Sequence, residues 1–152
     1  METITTLEPK TISSLQNLIR INIDSAKGFD KAAQQIEHTP TAQLFKSIAG
    51  ERRAFAEELR RYVRMNDEEA ADSGSIKGQI HRWWINIVGT VRDGDQHAIL
   101  AEAERGEDAI KHAYEDTLPP IAGNPLNRVL QDQYARVKQA HDRIRDLRDA
   151  TR

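Results

Sequence analysis

Apolar positions recur along this chain at alternating spacings of three and four, the period that turns one stripe of a helix toward a shared interior. In the first long segment the stripe is Ile12, Leu15, Ile19, Asn22, Ala26, Phe29, Ala33 and Ile36, which predicts a helix over about 11–38. Its start is marked by Pro9, by Thr11, and by Ser13 with Gln16 three residues on, a spacing that resembles a capping box. Pro40 cannot continue that helix, but it suits the first turn of another helix capped by Thr39. A second helix over 40–65 then carries Leu44, Phe45, Ile48, Phe55, Leu59, Tyr62 and Val63. The tight turn makes these two an antiparallel hairpin.

Residues 66–74 are acidic and small and read as a linker, with Ser75 placed to cap a shorter helix over 75–92. Its apolar side is Ile76, Ile80, Trp83, Trp84, Ile87 and Val91. Arg92-Asp93-Gly94-Asp95 breaks the pattern, and a further helix over 95–118 starts at Asp95, shows Leu100, Ala103, Glu107, Ile110 and Tyr114 at core spacing, and stops at Pro119-Pro120. Asn124-Pro125 opens the last helix, 124–150, with Leu126, Leu130, Gln133, Val137, Ala140, Ile144 and Leu147 on one face. Reading Ser75 to Thr117 as one long helix is the competing parse, and Gly94 between two aspartates speaks against it. Gly106 inside the fourth helix costs roughly 1 kcal/mol relative to alanine, and with Ala103 and Ala113 it points to close approach by another helix.

Lengths constrain the topology. A nine-residue linker reaches roughly 30 Å at full stretch, short of the roughly 38 Å of a 25-residue helix. The linker alone cannot return the chain, whereas linker plus short helix can. The expected fold is therefore all-α: two antiparallel hairpins joined by one long crossover that contains an extra helix, with helices two and four parallel.

At 152 residues the chain has the size of one domain able to bury its own core. Charged residues are 30% and aromatics 5%, the balance of charge-laced amphipathic helices. A net charge of −2 from 22 basic and 24 acidic residues supplies no field for nucleic acid or anionic lipid. The final helix alternates signs through Asp132, Arg136, Lys138, Asp142, Arg143, Arg145, Asp146, Arg148 and Asp149, a solvated face rather than a phosphate-binding stripe. The lack of cysteine removes disulfides, thiolate nucleophiles and thiolate metal sites. With no leader pattern and no long apolar run, the expected location is the cytoplasm and no membrane is expected as a partner. A homo-oligomer or a protein partner stays open.

The segments Leu18-Ile19-Arg20-Ile21-Asn22-Ile23-Asp24, Asp72-Ser73-Gly74-Ser75, His81-Arg82-Trp83-Trp84, Glu104-Arg105-Gly106-Glu107-Asp108 and Ala140-His141-Asp142-Arg143-Ile144-Arg145 resemble a bacterial group of ferritin-like four-helix-bundle proteins of unassigned function. The resemblance covers nearly the whole chain and implies a ferritin-like bundle. Ferritin-like enzymes carry carboxylates on two helices and Glu-x-x-His pairs on the other two, enough hard oxygen and imidazole ligands for two iron or manganese ions. The corresponding depth here offers Asn22 with Asp24, Glu51 followed three later by Ala54, Glu104 with Glu107, and Lys138 followed by His141. Asn22, Ala54 and Lys138 break that set on three helices.

Two readings compete for these residues. In the leading one, Glu51, Glu107, Lys138 and His141 form a buried ion network in which Lys138 supplies the positive charge a metal would bring, and no cofactor is expected. In the other, Glu51, Glu107 and His141, with Asp24 or Glu104, hold a divalent ion such as iron or manganese. Glu104, Asp108 and His112 also line one strip of a helix and could chelate zinc, though such strips are generally solvated faces. The tyrosines Tyr62, Tyr114 and Tyr134 read as core residues. Three functions remain: a non-enzymatic helical protein, stress-related by analogy with other small ferritin-like families; a metal-binding oxidoreductase or iron-handling protein; and an interaction module docking through Trp83 and Trp84.

Overall fold

The computed structural model of the chain describes residues 2–74, 79–119 and 123–151. Among them are five helices and no strand: α1 (Pro9–Gln35), α2 (Thr39–Arg64), α3 (Gln79–Asp93), α4 (Gln96–Thr117) and α5 (Asn127–Ala150). The number and order of helices match the hydrophobic pattern. The break between α3 and α4 falls at Gly94, whose φ of +77° is the left-handed conformation that glycine adopts without strain. Asp95 caps α4 by accepting a hydrogen bond from the Ala98 amide at 3.1 Å. None of the helices among the described residues is long and apolar enough to cross a membrane.

Three end signals resolve differently from their sequence reading. The first helix begins at Pro9, where a missing N–H costs nothing, so Ser13 lies inside the helix and forms no capping box. Gln16 instead bridges to the crossover, donating to the Glu69 carbonyl and accepting from the Ala71 amide, both at 2.8 Å. At the start of α2 the cap position belongs to His38 rather than Thr39, its imidazole lying 2.9 Å from the Thr41 hydroxyl. The last helix begins at Asn127, because the Asn124 side chain accepts from the Leu126 amide at 2.9 Å and holds 124–126 as a turn. The expected Ser75 cap, Ile76, and the side chains of Ile80, His81 and Trp84 lie outside the described residues.

Named contacts fix the directions. Gln96 reaches Thr41, Glu107 meets Arg52, and Tyr114 connects through Gln133 to Glu58. Both helices advance together along these pairs, so α4 runs parallel to α2. Along α5 the order reverses: Gln133 meets Tyr114, His141 meets Asp108, and Arg148 meets Glu104. Thus α5 is antiparallel to α4, and α1 packs along α2 as the first hairpin. The segment after α2 climbs α1, with Asn66 at Leu7, Ala71 at Gln16 and Gly74 against Asp24. Helix α3 then continues the climb, packed against both α1 and α4.

The core is continuous through all five helices and includes Leu18, Phe29, Phe45, Leu59, Ile87, Leu100, Ile110, Leu130 and Ile144. Trp83 is the joint between α3 and the rest. Its ring lies 5.1 Å from that of Phe29, its indole N–H donates to the Glu102 carbonyl at 2.7 Å, and its face covers Gly106. A Cβ at Gly106 would overlap the indole. The glycine in α4 is therefore a packing residue, and buried Trp83 is unavailable as an exposed anchor.

Two glycine substitutions in helices should move stability in opposite directions. Gly106→Ala gains helix propensity but must displace Trp83, and should destabilise by about 1–3 kcal/mol as an overpacked core. Gly50 is exposed, with open space around a built Cβ, so Gly50→Ala should stabilise by about 1 kcal/mol. Urea denaturation followed by circular dichroism measures both, and equal shifts of the same sign would contradict the packing at Gly106.

Candidate functional site

Helix α2 places a buried residue on its inner face at 45, 48, 49, 52, 55, 56 and 59, and position 52 in that stripe is arginine. Arg52 has no exposed surface, and neither does Glu107, which faces it from the middle of α4. Their groups meet fork to fork, Nη1 to Oε1 at 2.5 Å and Nη2 to Oε2 at 2.8 Å. Nη1 also points at the Ser25 hydroxyl of α1 at 3.5 Å. Burial works against the charge on Arg52. Attraction to Glu107 and its hydrogen bonds outweigh that penalty and hold the guanidinium pKa above its ordinary value.

A second polar layer adjoins this pair. Asn22 donates from Nδ2 to the Leu18 carbonyl at 2.8 Å and to the Tyr114 hydroxyl at 2.9 Å. Tyr114 in turn donates to Gln133 Oε1 at 2.7 Å, and Gln133 donates from Nε2 to Glu58 Oε1 at 2.7 Å. The chain of bonds runs from α1 through α4 and α5 to α2. Burial pushes the Tyr114 phenol well above its usual pKa, so the tyrosine remains a neutral donor. Gln133 and Glu58 open onto a cleft of about 360 Å³ between α2 and α5, also lined by Ala54, Phe55, Asp132 and Arg136.

The structure separates the residues that sequence reasoning grouped. Glu107 is central, but its partner is Arg52. Glu51 lies at the edge, 3.9 Å from Arg52 with its side chain 28% exposed, and burial raises its carboxyl pKa against the pull of Arg52 and Arg136. Lys138 is exposed, which corrects the expected network: the interior cation comes from α2, not α5. His141 sits on the α4–α5 flank with Nε2 2.8 Å from Asp108 Oδ1 and Nδ1 3.2 Å from Asp142 Oδ1. Asp24 is buried against Gly74 of the crossover. Glu104 pairs with Arg148 and lies near Asp108 and His141. Exposed His112 is not part of that group, so the strip expected along α4 is completed instead by His141 from α5.

Arg52 was legible in principle. The apolar stripe read along α2 jumps from Ile48 to Phe55, a gap of seven that leaves the core position at 52 unassigned. An arginine at such a position is easily passed over because arginine is almost never fully buried unless paired. With the guanidinium using both oxygens of Glu107, the residues at this depth do not fit a dinuclear metal centre: a fixed cation stands among the would-be ligands.

Residues 10–119 match the family described as "Domain of unknown function (DUF2383)". The match spans α1 to α4 and includes Arg52, Glu107, Asn22 and Tyr114, while Gln133 and His141 on α5 lie beyond it. No curated protein matches the chain.

Removing one member of the central pair strands the other charge in the core, so Arg52→Met and Glu107→Gln should each cost about 3–5 kcal/mol. The double variant Arg52→Met/Glu107→Leu should recover much of that loss. Glu51→Gln tests the edge of the site. Its raised carboxyl pKa means that the folded state binds a proton more readily than the unfolded one, so stability falls as pH rises from the unfolded-state pKa through the raised folded-state one, and the penalty is fully in place above both. Glu51→Gln should therefore leave stability unchanged or slightly increased at pH 7. Denaturant melts of the four variants check this, and a large loss in Glu51→Gln with little in Glu107→Gln would reverse the assignment.

Proposed function

We propose that this chain, which belongs to the DUF2383 family of unknown function, is a ferritin-like four-helix bundle of α1, α2, α4 and α5 that acts without enzymatic metal chemistry at its centre. The observation that carries this reading is the fully buried, bidentate Arg52–Glu107 pair. The parallel course of α2 and α4 and the crossover along α1 support reading the bundle as ferritin-like. In ferritin-like enzymes that depth holds carboxylates and imidazoles around metal ions. Here asparagine, arginine and tyrosine occupy inward positions, and the Glu107 carboxylate is neutralised by a guanidinium. A side-chain cation performs the charge compensation and gives the centre no open coordination position.

The reading favours a role as a helical scaffold over one as an oxidoreductase. Tyr114 supports it: the phenol is fixed between Asn22 and Gln133 as a neutral hydrogen-bonding strut. Ferrous iron added to the protein in air should oxidise no faster than in buffer, as followed by ultraviolet absorbance. Oxidation accelerated by the protein and abolished by Glu107→Gln would replace this reading with an iron-handling one.

A second outcome follows from treating Arg52 as the counter-charge. Arg52→Glu should put two carboxylates face to face, lower the thermal midpoint by several degrees, and recover part of that loss with manganese, because metal binding then adds its free energy to folding. A midpoint unmoved by manganese would show that charge compensation is not what Arg52 provides.

A further inference from the structure

Away from the central pair, α4 and α5 bring a second set of charged groups together on their shared flank. Glu104 and Asp108 stand one turn apart on α4, and His141 approaches from α5, each placing one ligand atom within 4.8 Å of the others. The site is enclosed on one side, with the His141 and Glu104 side chains 12% and 15% exposed, and open on the other, where Asp108 is 45% exposed. Glu107, one residue before Asp108, turns the other way toward Arg52, so this flank and the centre are separate environments.

We propose that Glu104, Asp108 and His141 bind one divalent first-row transition ion, through the imidazole Nε2 and one oxygen from each carboxylate. Three features support it. The imidazole is already oriented: Nδ1 lies 3.2 Å from the Asp142 carboxylate, which can take its N–H and leave Nε2 facing Asp108 at 2.8 Å. A carboxylate behind a histidine in this way is the usual support of a metal-bound imidazole.

The second feature is an unanswered acceptor. Arg148 takes Glu104 Oε1, while Oε2 is shielded from solvent and has no hydrogen-bond partner among the described residues. A buried carboxylate oxygen without a partner is costly, and a cation is the ligand it lacks. The third is charge. Glu104, Asp108 and Asp142 bring three carboxylates close to the imidazole, with Arg148 on Glu104 and Arg145 and Lys138 acting on Asp142, so the cations stand at the outer carboxylates while Asp108 faces the imidazole itself.

One nitrogen and two oxygens suit zinc and its neighbours. Bond lengths of roughly 2.0–2.2 Å put tetrahedral ligands roughly 3.4 Å apart, so closing the set asks for side-chain rotation of the order of 1 Å. Water would complete the shell on the solvent side.

The test is equilibrium dialysis of the full chain against zinc chloride, with cobalt(II) as a spectroscopic probe. One zinc per chain should bind at micromolar or lower concentration, and cobalt should show the intense visible bands of four-coordination. His141→Ala and Asp108→Asn should each weaken zinc binding by roughly tenfold or more, and Asp142→Asn by roughly tenfold as the loss of the imidazole support. His112→Ala, an exposed histidine on the same helix, should leave it unchanged. Circular dichroism confirms that the variants are folded. No zinc bound below millimolar concentration, binding indifferent to both His141→Ala and Asp108→Asn, or an equal loss in His112→Ala would each overturn the proposal.

Discussion

A guanidinium with no access to water must be answered by an acid in fixed geometry, and the rest of this fold is arranged around how Glu107 answers Arg52. The pair bridges two helices that are not joined directly in sequence. Sliding α4 by one turn against α2 would leave both charges buried and apart, at a cost of several kcal/mol. Apolar side chains tolerate such a shift far better, because leucine and isoleucine stripes repeat. The ion pair is thus a register device between parallel helices, with Ser25 of α1 bringing a third helix into the same constraint.

That constraint explains the rest of the topology. Helices α2 and α4 can run parallel only if the chain returns along the length of the molecule between them, and the segment 66–74 with α3 makes that return on the surface of α1. The return path is fastened at its start by Asn66 and Gln16 and further along, early in α3, by Trp83 on Gly106. A small residue on α4 and a large one on α3 act together there: the missing Cβ lets the indole sit flat enough to reach the Glu102 carbonyl.

Centre and flank divide the charged residues by a matter of degrees around α4. Glu107 faces α2 and is neutralised within the core. Glu104 and Asp108, on neighbouring positions of the same helix, face α5 and gather with His141, Asp142 and Arg148 where water is nearby. A run of acids that looks uniform in the sequence therefore serves two different electrostatic settings, one closed by a guanidinium and one with an oxygen left over.

The periodicity of three and four, the prolines at 9, 40 and 125 and the glycine at 94 were enough to give five helices in their order, because those signals act within a turn or two of the chain. Linker length against helix length was enough to make α2 and α4 parallel, since chain reach is a property of covalent geometry. The partners of the charges were not legible. Lys138 and Arg52 both lie on amphipathic helices, and only packing decides which of them turns inward; the sequence pattern marked position 52 merely as a missing apolar residue. His141 could be placed on α5 but not beside Asp108, because that meeting depends on the rotation of α5 about its axis against α4. Local conformation is written residue by residue, whereas the pairing of a buried charge depends on which faces the assembled helices turn toward one another, and here tertiary structure gave Glu107 its arginine.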